Sequence, residues 1–268
     1  SELPLLRSEL RQILRAVYDI ERLTARATYG TANPRELAAL RQSLQQLPQI
    51  LHLLAQVKSA VLVELRRQLD PLPDLTQLLA RSLVDNPPAT VNEGGIIRTG
   101  YHPKVDRLRQ AQQEGTRWIA ELQEKERRRT GIKSLKVGYN RVFGYYIEVT
   151  KPNLALVPED YQRKQTLANA ERYITPELKE KEALILGAEE RLNTLEYQLF
   201  SEIRNQVAQE AGRLKQTAAA LASLDALLAL AETAVARGYI RPVVDDGALI
   251  AIQQGRHPVL EVIQEEPF

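Results

Sequence analysis

Residues 127–148 read RRRTGIKSLKVGYNRVFGYYIE, and the change of pattern inside this stretch decides the fold. It carries six basic side chains (Arg127, Arg128, Arg129, Lys133, Lys136 and Arg141) before its first acid, Glu148. Up to Arg129 the sequence reads as helix. From Leu135 the period becomes two: Leu135, Val137 and Tyr139 alternate with Lys136 and Gly138, and Phe143 with Tyr145–Val149 gives a second strand-like run. Asn140-Arg141 is the expected turn and Gly144 a candidate bulge. A small basic β element between long helices suits a polyanionic partner better than an enclosed enzyme pocket.

The flanks are helical. In residues 103–130, Leu108, Gly115 and Leu122 recur every seven positions, with Val105 and Ile119 alongside. The last turns, Glu124–Arg129, lack an apolar face, so this helix is expected to leave its core and enter solvent. Thr175-Pro176 starts the final long helix. Leu178, Ile185, Leu192 and Leu199 step by seven, and Val207, Leu214, Leu221, Leu228 and Val235 do so again after one step of eight. The pattern covers about 60 residues, roughly 90 Å if unbroken. Such a rod needs an antiparallel partner to cover its stripe, and residues 103–130 supply one. Gly187 and Gly212 are its weak points.

Upstream, residues 3–70 read as helices, with Leu10, Leu14 and Val17 on one face and Ile13 and Ile20 beside it. Asn33-Pro34-Arg35-Glu36 combines an N-cap, a first-turn proline and a capping-box glutamate, starting a helix expected to reach Leu47. Further helices are expected over 49–69 and 73–83. Residues 89–102 read as a loop or short hairpin turning at Gly94-Gly95, with Ile96-Ile97-Arg98 as a strand. Residues 152–162 read as a loop, and 163–174 fit a strand pair or a short helix equally well. After Arg237-Gly238-Tyr239 the segments Tyr239–Val243, Leu249–Ile252 and Val259–Val262 read as short strands. The fold class is therefore mainly α with a small inserted β-rich domain, its long antiparallel lever helices set on a helical core.

Composition adds limits. The chain has 268 residues, is 44% apolar and carries a net charge of +2, so total charge argues for no partner. Its distribution does: residues 131–175 hold seven basic side chains against four acids, a local +3 that exceeds the whole chain's charge. Without cysteine there is no disulfide and no thiolate metal site. No uninterrupted apolar run approaches the ~20 residues of a membrane span, and the start, Ser1-Glu2-Leu3-Pro4, is not a signal peptide. The lack of methionine, even at position 1, suggests a processed or cut chain.

Five landmarks occur in order: Tyr18-Asp19-Ile20-Glu21-Arg22-Leu23; Ala32-Asn33-Pro34-Arg35-Glu36-Leu37; Leu135–Asn140 with Gly144–Ile147; Arg163–Leu167 with Asn169–Tyr173; and Gly255-Arg256-His257-Pro258-Val259. On these the chain resembles the central region of the MutS family of bacterial mismatch-recognition ATPases, over nearly its whole length. The resemblance implies a core or lever domain over 1–130 and 176–238, a clamp over 131–175, and the start of an ATPase domain over 239–268. It further implies a homodimer around double-stranded DNA, a downstream mismatch-repair protein as partner, a cytoplasmic, nucleoid-associated location and no membrane contact. ATP and Mg are implied for the full-length relative. No cofactor and no catalysis are expected of this chain, in which no GxxxxGK[ST] loop occurs. A recombination-suppressing branch shares the lever but lacks the clamp, so residues 131–175 favour the repair branch. Many members place lysine between Leu167 and Asn169, where this chain has Ala168, so one backbone contact is expected to be absent or moved.

A DNA backbone asks for cations and donors without base specificity. Arg163, Lys164, Gln165, Thr166, Asn169 and Arg172 supply them, and Lys133, Lys136, Asn140 and Arg141 supply more from the hairpin. The bland alternative is a solvated basic surface, or for Arg172 a pair with Glu171 or Glu148. Tyr145, Tyr146 and Tyr173 read as core residues with hydroxyls at the surface, because a duplex offers no unstacked base. Trp118 reads as a helix-packing residue. By the resemblance, His257 and Phe268 lie near the nucleotide in a full-length relative, and no tight nucleotide binding is expected here. No metal site is expected: His52 and His102 are far apart and lack cysteine neighbours. Most carboxylates sit in helix-surface patterns such as Glu177 to Lys181, which gives no convergent catalytic site. The rival from another class is a structural coiled-coil module with a protein-binding β tip.

Overall fold

The structure is a computed structural model that describes residues 4–263. The chain divides into two compact units, Ser1–Ala229 and Leu230–Phe268. The first unit opens with short helices α1 (Pro4–Leu14), α2 (Ile20–Thr28), α3 (Pro34–Leu44), α4 (Leu47–Leu54), α5 (Ala60–Gln68) and α6 (Pro73–Ser82). The long helix α7 (Pro103–Thr130) leads into β1 (Lys136–Asn140), β2 (Gly144–Thr150), β3 (Gln162–Thr166) and β4 (Ala170–Ile174). Helices α8 (Pro176–Gln209) and α9 (Ala211–Arg237) return, the last turns of α9 belonging to the second unit.

Local chemistry explains most boundaries. Asn33 closes the expected capping box: its Oδ1 accepts from Glu36 N and its own N–H donates to Glu36 Oε2, both at 2.9 Å. The helix it starts ends at Leu44, because Pro48 lies in the first turn of α4 instead of terminating α3. The single helix expected over 49–69 is two, separated at Ala55–Ser59, where Ser59 takes an extended backbone at the N-cap of α5. Residues 89–102 form one 3-10 turn, Val91–Glu93, and a lone bridge between Ile97 and Leu83. Gly131, at φ 70°, ends α7 in the left-handed conformation.

The long returning rod is interrupted at Glu210, between α8 and α9. The break follows the step of eight between Leu199 and Val207 and precedes Gly212. It brings Leu214, Leu221 and Leu228 onto the same buried core as Leu192 and Leu199. Arg213 fixes the joint by bonding Asp70, Asp74 and Glu210 at 2.7, 2.8 and 3.0 Å. By length and composition α9 could cross a membrane, which the charges that interrupt its apolar sequence had concealed. Its inward residues Leu214, Leu221, Leu224 and Leu228 lie in the helical core.

Two hydrophobic clusters form. The larger gathers α1–α6, the start of α7, and α8 with α9 around Phe200, Leu37, Leu40 and Ile50. Within it the buried Glu196 carboxylate accepts from Ile96 N at 3.1 Å and from Arg109 Nη2 at 2.7 Å, joining α7 to α8. The smaller joins Leu122 of α7 and Leu178 of α8 to Ile132, Leu135, Ile147, Val149, Tyr161, Tyr173 and Ile174. Leu178 and Leu192 are separated by about 21 Å of helix. Between the clusters Ile185 packs on Gly115, where an added Cβ would stand 2.6 Å from its Cγ1.

The sheet order is β1-β2-β4-β3, all antiparallel. Residues 163–174 thus resolve to strands, and the loop before them holds a 3-10 segment, Lys151–Leu156. The first hairpin turns through 141–143, with Asn140 still paired to Gly144. Gly144, at φ +72°, is doubly required, because a Cβ there would lie 1.6 Å from Glu182 Oε1.

In the second unit, none of the three expected strands forms among the described residues. Ile240, Val243, Leu249 and Ile252 are exposed, and a strand with no ladder partner has no bonds to hold it. The only regular element after α9 among the described residues is a short helix, α10 (Leu260–Ile263). Arg256 pairs with Glu261, donates to Arg237 O at 2.9 Å and lies over the Tyr239 ring.

Candidate nucleic-acid interface

The β sheet is fastened to the helices by polar contacts in a fixed direction. Arg127 Nε donates to Leu135 O at 2.8 Å, and Val137 N donates to Gln123 Oε1 at 2.9 Å, so β1 runs back along α7. At the start of β2, Tyr145 N donates to Glu182 Oε1 at 2.7 Å. The 141–143 turn therefore points toward the helical body, and the β3–β4 turn at 167–169 lies at the opposite, outer end. The end of α7 does not enter solvent as expected. Glu126 is buried and accepts from Tyr161 Oη at 2.9 Å and Arg129 Nε at 2.8 Å, while Arg129 also pairs with Asp160 at 3.0 Å. Burial, then the Glu126 bond, pushes the Tyr161 hydroxyl well above its usual range. Lys125 takes Glu177 across the helix pair at 3.0 Å, where a Glu177–Lys181 pair had been expected, and Lys181 lies over Trp118.

The ten residues expected to face a DNA backbone fall into four places. Lys133, Thr166 and Asn169 lie at the outer end and are exposed. Lys151 joins them, its N–H donating to Asn169 O at 3.1 Å, and Ser134, beside Lys133, sits 3.3 Å from Thr150 Oγ1. Lys133 and Lys151 make no ion pair among the described residues. Ala168 is exposed in the same turn, at this outer end.

Lys136, Gln165 and Arg172 lie in one cross-strand row, Lys136–Glu148–Arg172–Gln165. Arg172 is engaged on all sides: Nε bonds Glu148 at 3.0 Å, Nη1 bonds Gln165 at 3.0 Å, and the guanidinium stacks 4.0 Å from the Tyr146 ring centroid. Its side chain is 18% exposed. This is the Glu148 pairing that the sequence left open. Gly138 stands opposite Tyr146, where a Cβ would meet the ring at 2.8 Å.

Arg163 and Lys164 occupy the edge strand β3, with a bulge between Arg163 and Gln165 that leaves Lys164 unpaired in the ladder. Lys164 turns its ammonium onto Phe143 O, toward the inner hairpin. Arg163 stays 65% exposed, 3.6 Å from Glu171. Asn140 and Arg141 are at the inner turn, away from the outer group. Asn140 Oδ1 accepts from Val142 N at 2.8 Å and Phe143 N at 3.3 Å, so its carbonyl serves the turn.

Tyr173 and Tyr145 behave as core residues, whereas Tyr146 is half-buried and carries the Arg172 guanidinium on its ring. Tyr173 is buried, and its hydroxyl donates to Glu171 Oε2 at 2.6 Å. Burial and then this bond push it up to about 12. Burial likewise raises Tyr145, which packs on the smaller cluster as Trp118 does. His257 Nδ1 accepts from Leu260 N at 3.2 Å, capping α10, and Phe268 lies outside the described residues. Lys151 was counted in the local charge but not among the contacts. Its position beside Asn169 follows from the strand pairing, which Thr150-Lys151-Pro152 does not announce.

Residues 100–191 match the model of MutS family domain IV, a span from just before α7, through the whole sheet, into α8. DNA mismatch repair protein MutS of Symbiobacterium thermophilum is 54% identical over 98% of the chain, and that of Halothermothrix orenii is 54% identical over 98%. The protein of the same name in Methanothrix thermoacetophila is 49% identical over 98%. The chain spans 30% of the length of the first two and 31% of the third.

Proposed function

Because the chain carries MutS-family sequence along nearly its whole length, we propose that it is the lever and clamp portion of a mismatch-repair protein, gripping duplex DNA by its backbone. In this reading residues 1–130 and 176–238 form the lever body, 131–175 the clamp, and 239–268 the beginning of an ATPase domain. The observation that carries it is the outer end of the sheet. Lys133, Lys151, Thr166 and Asn169 gather there, exposed, at the end of a helix pair anchored in a separate core. Cations and neutral donors with no aimed base-reading fork suit phosphate oxygens in any sequence context. Arg163 stands on the adjoining edge strand as a further donor. Arg172 is a strut of the sheet, and Asn140 and Arg141 face the body.

The lever role follows from the anchoring. The sheet is bonded to α7 through Arg127, Gln123 and Glu126 and to α8 through Glu182, so sliding one helix along the other would tilt the outer end. In the longer protein two copies would close around the duplex, and ATP with Mg, bound in another part, would supply the driving rearrangement. A downstream repair protein would read the result.

The test is an electrophoretic shift series on the 268-residue chain, with homoduplex and mismatched DNA, from low to about 0.2 M salt. The expected result is weak, steeply salt-sensitive retention, equal for both duplexes. Retention insensitive to salt, or confined to the mismatch, would contradict the proposal. A protein-binding β tip would show no duplex retention at any salt.

A further inference from the structure

The basic block contains two arginines on neighbouring strands, and each faces a glutamate. The pairs differ in every respect that bears on release. Arg172 is 18% exposed, bonds Glu148 at 3.0 Å and is stacked on Tyr146. Arg163 is 65% exposed and only loosely held, with Nη1 3.6 Å from Glu171 Oε1. Its glutamate is 13% exposed and already secured by a second partner, since Tyr173 Oη donates to Glu171 Oε2 at 2.6 Å. If Arg163 swings away, Glu171 keeps that bond. If Arg172 left Glu148, it would abandon Gln165 and the Tyr146 ring as well.

Register gives Glu171 its direction. It pairs with Thr166 and Val149, one step from the outer turn, whereas Arg163 pairs with Tyr173, farther from that turn. Arg163 therefore reaches along the sheet toward the outer cation group in order to meet Glu171. An arginine exposed by two-thirds and held by one long contact to a covered carboxylate is already positioned for a phosphate.

Resting on the clamp reading above, we infer that Glu171 is an internal stand-in for a DNA phosphate: it parks Arg163 in the free protein and yields it to the backbone on binding. Glu171 is a positioning residue. It aims Arg163 at the outer end and keeps that guanidinium from pairing elsewhere, while its negative charge limits how tightly the clamp grips.

The experiment is duplex binding by the 268-residue chain across a salt series, with Glu171→Gln, Arg163→Gln and the double variant. Glutamine at 171 retains an acceptor for Tyr173, and thermal unfolding within error of the parent confirms an intact sheet. E171Q is expected to bind duplex about fivefold tighter, the order of one competing ion pair at about 4 Å in water that Arg163 no longer has to break. R163Q is expected to weaken binding and flatten the salt slope by about 0.9, the value of one lost phosphate contact. In the R163Q background, E171Q should then have little effect. The inference is overturned if E171Q binds like the parent, or if it tightens binding equally in the R163Q background, which would make Glu171 a bulk charge only. Either result leaves the clamp reading standing. Absence of salt-sensitive binding by the parent would remove both.

Discussion

In the helical body, Phe200, Leu37, Leu40 and Ile50 are wholly buried, and the deep carboxylate Glu196 is matched by Arg109 and a backbone N–H. At the β tip the apolar cluster is small, and the sheet's orientation rests on Glu126, Gln123, Arg127 and Glu182, side chains that bond loops and strands to helix ends. The difference teaches a division of labour. Apolar burial is non-directional and fixes that an element packs; hydrogen bonds are directional and fix at what angle. The body is built mainly on the first, and the angle of the tip is set by the second.

That contrast can be broken from the body side first. Phe200→Ala should cost about 3–5 kcal/mol, the range for emptying a closed aromatic site. Chemical denaturation should show the loss in the main transition. A change below about 1 kcal/mol would mean the body does not depend on its packing. The next largest effect belongs to the tip. Gly144→Ala meets both a left-handed backbone and the Glu182 carboxylate, so about 1–3 kcal/mol of local strain is expected. Faster amide exchange across β1 and β2, with the body unchanged, would confirm it; uniform exchange would show that the two regions unfold together.

Smaller still, Tyr161→Phe removes one bond to Glu126 and should cost about 1 kcal/mol. It is expected to speed exchange around residues 157–161 and to leave Phe200 and its neighbours untouched. The smallest effect is a pH dependence at the α8–α9 joint. Hydrogen bonds from Arg213 hold Asp70 and Asp74 below their ordinary 3.8. Groups depressed in the folded state stabilise it above their unfolded value and lose that contribution as pH falls through the folded one. Stability should therefore drop below about pH 4, and Arg213→Gln should flatten that part of the profile in thermal melts across pH.

The body was largely legible in the sequence, because heptad spacing is a direct consequence of burial. Eight of the nine positions from Leu178 to Val235 are buried, and Asn33-Pro34-Arg35-Glu36 forms the capping box its letters describe. The break at Glu210 was signalled by the step of eight and by Gly212 just after it. The end of α7 misled, because a run of charges reads as a solvated face unless its partners are known. Glu126 is buried by Tyr161, distant in sequence. The candidate site was legible as a set of residue types and not as a surface. Register decides that Asn169 and Lys151 meet at the outer end, while Asn140 and Arg141 turn toward the body. Arg172 shows the same limit, since nothing local distinguishes it from Arg163. In the tail, alternating apolar letters suggested strands, but a strand needs a partner edge that local sequence does not supply.

We propose that the outer end of the sheet, and not its inner turn, grips the DNA backbone. The most direct measurement is the slope of log binding constant against log salt for Lys133→Gln with Lys151→Gln, set beside that for Arg141→Gln. The outer pair should lower the slope by about 1.8 and the inner change should leave it within error of the parent. An unchanged slope for the outer pair, or an equal loss from Arg141→Gln, would contradict the account.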